Sequence, residues 1–196
     1  VRDSKNCTVV TAPVTVTQPA PVSGTGAVTS NYNGQQISCV GASDGIIQIT
    51  PGGGTGTYTF KLDQLPSNTS GDASGIYTGL AAGTYTVTIR DVNNCFFVTA
   101  PITITPPPAL TASIAVTSNY NGVPITCNGA SDGIITVTAG GGVAGYNFTL
   151  SSGPVASGNP SVNFTGLPAG NYSATVTDAN GCTTGTSTIA LNEPAP

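Results

Sequence analysis

Thr84-Tyr-Thr-Val-Thr-Ile89 alternates without a break, placing Tyr85, Val87 and Ile89 on one face of an extended segment and the threonines on the other. This period of two predicts a half-buried β-strand. Gly79-Leu-Ala-Ala-Gly83 leads into it and Asp91-Val-Asn-Asn-Cys95 closes it, and the whole block returns 87 residues later as Gly166-Leu-Pro-Ala-Gly-Asn-Tyr172 and Asp178-Ala-Asn-Gly-Cys182. Further upstream, Val28-Thr-Ser-Asn-Tyr-Asn-Gly34 returns as residues 116–122, and Cys39-Val-Gly-Ala-Ser-Asp-Gly-Ile-Ile47 returns as Cys127-Asn-Gly-Ala-Ser-Asp-Gly-Ile-Ile135, both displaced by 88. Arg2-Asp3, Asn6-Cys7 and Val10-Thr-Ala-Pro13 lie 88 residues before Arg90-Asp91, Asn94-Cys95 and Val98-Thr-Ala-Pro101. The chain is therefore a tandem array. The expected division is residues 1–19 as the last strand of a preceding repeat, 20–107 as repeat one and 108–196 as repeat two.

No stretch has helical periodicity. Short strands bounded by Gly, Asn, Asp and Pro at spacings near ten residues predict an all-β fold of tandem immunoglobulin-like antiparallel sandwiches. Seven strands are expected in repeat two: Leu110–Tyr120, Val123–Cys127, Gly133–Thr138, Gly145–Ser151, Ser161–Leu167, Asn171–Asp178 and Cys182–Leu191. An odd number of alternating strands puts entry and exit at opposite poles. Gln18-Pro-Ala-Pro21, Pro106-Pro-Pro108 and Glu193-Pro-Ala-Pro196 read as stiff linkers joining such units end to end into a rod.

Composition removes whole classes of chemistry. There is no His and no Trp, only 6% of residues are charged, and the net charge is -4. His is the usual general base and transition-metal ligand near neutral pH, so catalysis is not expected. Four basic residues cannot neutralise a phosphate backbone, which argues against nucleic acid and anionic membranes as partners. No apolar run is long enough to span a bilayer, and Val1 to Pro13 lacks the regions of a signal peptide. The expected material is a mature, exported binding, adhesive or structural segment.

Five cysteines fall at two kinds of site, before the Gly-Ala-Ser-Asp-Gly loop and at the end of the Asp-x-Asn-x turn. With the strand count above, both kinds lie at one pole of a unit, which pairs Cys39 with Cys95 and Cys127 with Cys182. The competing pairing, Cys7 with Cys39 and Cys95 with Cys127, would join like poles a domain length apart, beyond what a disulfide spans. Cys7 is left over from the preceding repeat. Closing each intra-repeat loop would stabilise a unit by about 4 kcal/mol and implies an oxidising compartment.

The same pole would gather Asp44 with Asp91, and Asp132 with Asp178, as oxygen ligands that could hold Ca²⁺. The alternative is that each carboxylate caps its own turn. No other cofactor is expected. A glycosidase pair lacks sugar-stacking aromatics, and Gly52-Gly-Gly54 lacks the Lys-Ser/Thr ending of a phosphate loop. Tyr85 and Tyr172, in Leu-x-Ala-Gly-x-Tyr, read as tyrosine corners. Tyr32 and Tyr120, in Asn-Tyr-Asn-Gly, read as loop-tip residues placed for contact with a neighbouring repeat.

The combined pattern, Ile-x-Cys-x-Gly-Ala-Ser-Asp-Gly-Ile-Ile, then Gly-Gly with Tyr-x-Phe, then Gly-Leu-x-Ala-Gly-x-Tyr and Asp-x-Asn-x-Cys, resembles the SprB repeat of large Bacteroidota cell-surface adhesins. The resemblance implies an extracellular position at the bacterial surface, export by type IX secretion, and a part in surface adhesion and gliding motility. Its expected partners are neighbouring repeats of the same chain, other copies in a fibre, or surface polysaccharide. The rival readings are a self-assembling extracellular filament and an array of carbohydrate-binding modules.

Overall fold

The computed structural model describes residues 1–196, and its only regular elements are strands. Repeat one contains β1 (Ser23–Val28), β2 (Ser43–Gly52), β3 (Thr59–Leu62), β4 (Ile76–Ala81), β5 (Gly83–Tyr85), β6 (Val87–Arg90), β7 (Phe96–Val98) and β8 (Ile102–Ile104). Repeat two contains β9 (Thr111–Val116), β10 (Ser131–Gly140), β11 (Tyr146–Leu150), β12 (Val155–Gly158), β13 (Ser161–Pro168), β14 (Gly170–Tyr172), β15 (Ala174–Thr177), β16 (Thr183–Gly185) and β17 (Ile189–Leu191). Every pairing is antiparallel.

Each repeat is a sandwich of two main sheets. In repeat one, β1-β2-β4 packs on β3-β6-β7, with β5-β8 as a short ladder. In repeat two, β9-β10-β13 packs on β12-β11-β15-β16, with β14-β17 in the corresponding place. The inward positions of the alternating strands build separate cores: Ile47, Tyr77, Leu62 and Ile89 are completely buried in one, Ile135, Phe148 and Val176 in the other. Such side chains each contribute about 1.5–3 kcal/mol by leaving water.

The predicted strand Thr84–Ile89 is divided. The Thr86 N–H turns away to Gln64 Oε1 (2.7 Å), so β5 pairs with β8 while β6 pairs with β3. The repeated Ser-Asp-Gly-Ile-Ile segment forms a bulge where β2 and β10 begin. A Cβ on Gly45 would lie 2.8 Å from the Leu80 carbonyl oxygen, and one on Gly133 would lie 2.9 Å from that of Leu167, so the bulge admits only glycine without a shift.

The chain still makes seven traverses of repeat two, but they are not the seven expected from sequence. Residues 123–127 form no strand; they belong to one long loop, residues 117–130, between β9 and β10. The missing traverse is replaced later by β12. Entry and exit therefore remain at opposite poles, while Cys127 moves to the exit pole. Cys182, in the turn between β15 and β16, stays at the entry pole. Repeat one has no strand in the place of β12, residues 63–75 running from β3 to β4 through turns, yet Cys39 still lies at its exit pole and Cys95 at its entry pole.

Residues 1–21 contain no strand, contrary to the expectation for residues 1–19. An isolated bridge between Arg2 and Thr8 brackets a turn, and every residue in the segment is exposed. An extended segment needs a partner strand to satisfy its N–H and C=O groups, and none pairs with it here.

Candidate functional site

Two preformed parts meet where the exit pole of repeat one touches the entry pole of repeat two. The first is the loop between β1 and β2. Asn33 (φ 49°) and Gly34 (φ 89°) form its tip, and the Gly34 N–H donates to Asn31 Oδ1 at 2.7 Å. Asp44 fastens the base, accepting the Ser38 N–H at 3.1 Å on its carboxylate and the Tyr32 hydroxyl at 3.0 Å on its backbone carbonyl. Ile37, completely buried, pins the middle to the core. The result is a rigid cup that turns the Tyr32 carbonyl, which also accepts the Gln35 N–H at 3.0 Å, and the Ser38 carbonyl toward repeat two.

The second part is the Asp-x-Asn-x-Cys turn. Asp178 is buried; its Oδ1 accepts the N–H groups of Asn180 and Cys182, each at 2.9 Å, and its Oδ2 accepts the Val143 N–H at 2.9 Å. Gly181 takes a left-handed conformation (φ 83°), which aims Asn180 and Cys182 outward together. The same turn occurs at Asp91, whose carboxylate accepts from Asn93, Cys95 and Thr55, and at Asp3, which accepts from Lys5 and Cys7.

At the junction Asn180 enters the cup. Its Nδ2 donates to the Tyr32 and Ser38 carbonyls, both at 3.1 Å, and its Oδ1 accepts from Asn33 Nδ2 at 2.7 Å. Every polar atom of the amide is satisfied, so its transfer from water into the contact is compensated. Beside it, Cys39 and Cys182 form a disulfide with a Cα–Cα separation of 5.7 Å across a sequence separation of 143. A cleft of about 370 Å³ remains next to the bond, lined by Cys39, Val40, Pro107, Pro108, Leu110 and Cys182.

This pairing corrects the sequence expectation. Cys39 does not bridge Cys95, and Cys127 does not bridge Cys182; Cys7, Cys95 and Cys127 are free and exposed. The reason is the strand count, because reading residues 123–127 as a traverse reverses the pole of every cysteine that precedes β2 or β10. The same error brought the aspartates together. Asp44 starts β2 at the exit pole and Asp91 follows β6 at the entry pole, as Asp132 and Asp178 do in repeat two, so neither pair meets as a Ca²⁺ site. Their oxygens instead serve backbone N–H groups, Asp132 accepting from Thr126 as Asp44 does from Ser38. No three acidic or cysteine side chains gather as metal ligands anywhere in the chain.

Tyr85 donates to the Ala81 carbonyl at 3.0 Å and Tyr172 to that of Pro168 at 2.9 Å, the upstream backbone contact of a tyrosine corner. Burial pushes the Tyr172 hydroxyl pKa up. Tyr77, also buried, is raised further by burial and by donating to the Asp72 carboxylate. Tyr32 and Tyr120 turn their hydroxyls back onto their own loops, and Tyr32 meets repeat two through its carbonyl. Asn180, which makes three side-chain hydrogen bonds across the contact, was not singled out from sequence; its recurrence in the Asp-x-Asn-x-Cys pattern is the signal that marks it.

These features define a class: tandem immunoglobulin-like repeats clamped to one another by hydrogen bonds and a disulfide. Residues 31–66 and 119–155 match the family model described as the SprB repeat. Each matched segment begins in the cup loop and includes its cysteine. No curated protein sequence matches the chain. Similar solved structures include domains 4 and 5 of the S-layer protein SbsC, 14% identical over 87% of this chain and 98% of that one, with a TM-score of 0.34. Fibronectin(III)-like modules of Clostridium thermocellum CbhA are 15% identical over 86% of this chain and 94% of theirs, with a TM-score of 0.30. A C-terminal intimin fragment, in complex with the intimin-binding domain of its translocated receptor, is 17% identical over 89% of this chain and 64% of its own, with a TM-score of 0.31. At such low TM-scores these likenesses carry no functional weight.

Proposed function

We propose that this chain is a shaft segment of a long adhesin at the bacterial cell surface, in which a disulfide locks each sandwich to the next. The observation that carries the reading is the Cys39–Cys182 bond between repeats. A bond at that position ties one repeat to the other and removes the freedom of one to swing about the linker. Its presence fits an oxidising, extracytoplasmic setting, and the match to the SprB repeat fits a surface adhesin. Pro106-Pro-Pro108 adds a stiff connection beside the bond. The role is mechanical and non-catalytic: the shaft holds an adhesive or motile apparatus away from the cell, supporting attachment and gliding.

The exposed aromatics favour a shaft over a sugar-binding array. Phe96 is the exposed ring in repeat one, and its counterpart in repeat two is Thr183, so no aromatic platform recurs. Small-angle scattering and peptide mapping test the reading together. The oxidised protein is expected to show one narrow inter-repeat distance and a Cys39–Cys182 peptide, and Cys39→Ser to broaden that distance. Intra-repeat disulfides, or a scattering profile indifferent to Cys39→Ser, would overturn it. Antibodies raised against the repeats should label intact, unpermeabilised cells.

A further inference from the structure

The strand pair β3–β6 runs out at Leu62 and Val87, and just past its end the side chains of Asp63, Gln64 and Thr86 converge. The Asp63 N–H donates to the Thr86 carbonyl at 3.0 Å, which holds the two residues opposite each other. The Thr86 hydroxyl donates to Asp63 Oδ2 at 2.9 Å, and Thr88 fixes the other oxygen by donating to Oδ1 at 2.8 Å. The Gln64 amide lies across Thr86: its Nε2 donates to Thr86 Oγ1 at 3.0 Å, and its Oε1 accepts the Thr86 N–H at 2.7 Å. Asp63 and Thr86 are half-buried, whereas Gln64 is exposed. Thr86 Oγ1 thus stands between a carboxylate that can take its proton and an amide whose carbonyl is already polarised by a backbone N–H.

Repeat two fills the same place more simply. The counterparts of Asp63, Gln64 and Thr86 are Ser151, Ser152 and Ser173. The Ser151 N–H donates to the Ser173 carbonyl at 2.8 Å, and the Ser173 N–H is satisfied by Ser151 Oγ at 3.1 Å. One hydroxyl is enough to close this break between strands, so closing it does not account for the carboxylate, amide and hydroxyl brought together in repeat one.

We propose that Gln64 and Thr86 are the site of an intramolecular ester cross-link formed with loss of ammonia. Thr86 Oγ1 attacks Gln64 Cδ while Asp63 takes the hydroxyl proton, and the carbonyl electron pair moves onto Oε1, where the Thr86 N–H stabilises it. The intermediate collapses as that proton passes to Nε2, the C–N bond breaks, ammonia leaves, and Asp63 is again a carboxylate. One amide and one alcohol become one ester and one ammonia, so no oxidant or co-reactant takes part. The terminal torsion of a glutamine is broad, and turning the face of Cδ toward Oγ1 costs little. Holding the groups in contact beforehand makes the step intramolecular. Ammonia is protonated at neutral pH and diluted into bulk water, which draws the reaction forward. The bond ties the chain leaving β3 to the start of β6 across a sequence separation of 22, within repeat one and independent of what adjoins either pole.

The test is the intact mass of the full chain, purified without denaturant, kept at neutral pH and reduced before measurement. It is expected to lack one ammonia relative to its sequence, and a peptic digest, made in acid to spare the ester, to contain the segments around Gln64 and Thr86 joined. Mild alkali should separate them and leave a carboxylate at position 64. Thr86→Val and Gln64→Glu, the second at an exposed position that the fold tolerates, should each keep these segments unlinked. Thr86→Ser should restore the link, and Asp63→Asn should slow its formation by at least about tenfold. Asn33, Asn121 and Asn180 precede glycines and can also lose ammonia, so the digest decides the position. A folded protein that keeps its full mass, or an ammonia loss that survives undiminished in Thr86→Val, overturns the inference.

Discussion

Ser38 and Cys39 are half-buried beneath repeat two, whereas their counterparts Thr126 and Cys127 stand exposed at the exit pole of repeat two. The loops themselves hardly differ. The Tyr32 N–H meets the Gln35 carbonyl at 2.8 Å and the Tyr120 N–H meets that of Val123 at 2.7 Å, with the Asx tip and the aspartate fastening reproduced in both. A docked cup and an open cup of the same shape show that docking does not mould the loop. Its form comes from Asp44 or Asp132 below, from Ile37 or Ile125 within, and from the left-handed tip.

Removing the clamp should separate the two poles most sharply. Under non-reducing conditions, Cys39→Ser should lower resistance to urea unfolding by up to about 5 kcal/mol, the chain-entropy value for a loop of this length, while Cys127→Ser should leave the monomer unchanged. Equal effects of the two substitutions would break the comparison. Next in size is the aspartate that folds the turn. Asp178→Ala leaves three backbone N–H groups without an acceptor and should cost repeat two about 2–4 kcal/mol in denaturant melts. Asp3→Ala, in an exposed hairpin attached to no core, should cost nothing measurable in the same melts.

Asn180→Ala should weaken the junction by about 1–2 kcal/mol, read as a fivefold to thirtyfold drop in the Cys39–Cys182 equilibrium in glutathione buffer. Asn93→Ala should leave that equilibrium where it is. The smallest effect distinguishes the cores. Tyr77 is matched by Phe164 in repeat two, and its hydroxyl, buried and bonded to Asp72, has a pKa raised above its ordinary value. The folded state thus favours the neutral phenol; the associated stability is complete below about pH 10, where unfolded tyrosine begins to ionise, and is lost only as pH rises through the folded value. An alkaline spectral titration should show a component that stays neutral until the fold is lost, and Tyr77→Phe should diminish it.

Sequence periodicity was enough for the sandwich architecture and the repeat offset, because alternation at Tyr85, Val87 and Ile89 reports burial directly. It misled at residues 123–127. There Pro124 has no N–H to give a ladder and Ile125 is the single fully buried residue, so an isolated anchor was read as a short strand. The consequence reached far beyond five residues, since one false traverse moved a cysteine from one pole to the other. Local chemistry fared differently. The Asp-x-Asn-x-Cys turn is closed by a carboxylate acting on neighbouring N–H groups, and it forms at Asp3, Asp91 and Asp178 alike. What the sequence could not announce was that Asn180 meets Tyr32 and Ser38, a contact between residues more than 140 positions apart.

The position of the Cys39–Cys182 bond also decides how the protein carries tension. A pull applied at the two chain ends runs along β1 to Cys39, crosses the sulfur bridge to Cys182 and leaves through β16 and β17, bypassing most of both sandwiches. The residues between the two cysteines lie off the load path and cannot be reeled out while the bond holds. A protease that cuts the proline linker would leave the two sandwiches tethered, because the peptide between them is only one of two covalent connections.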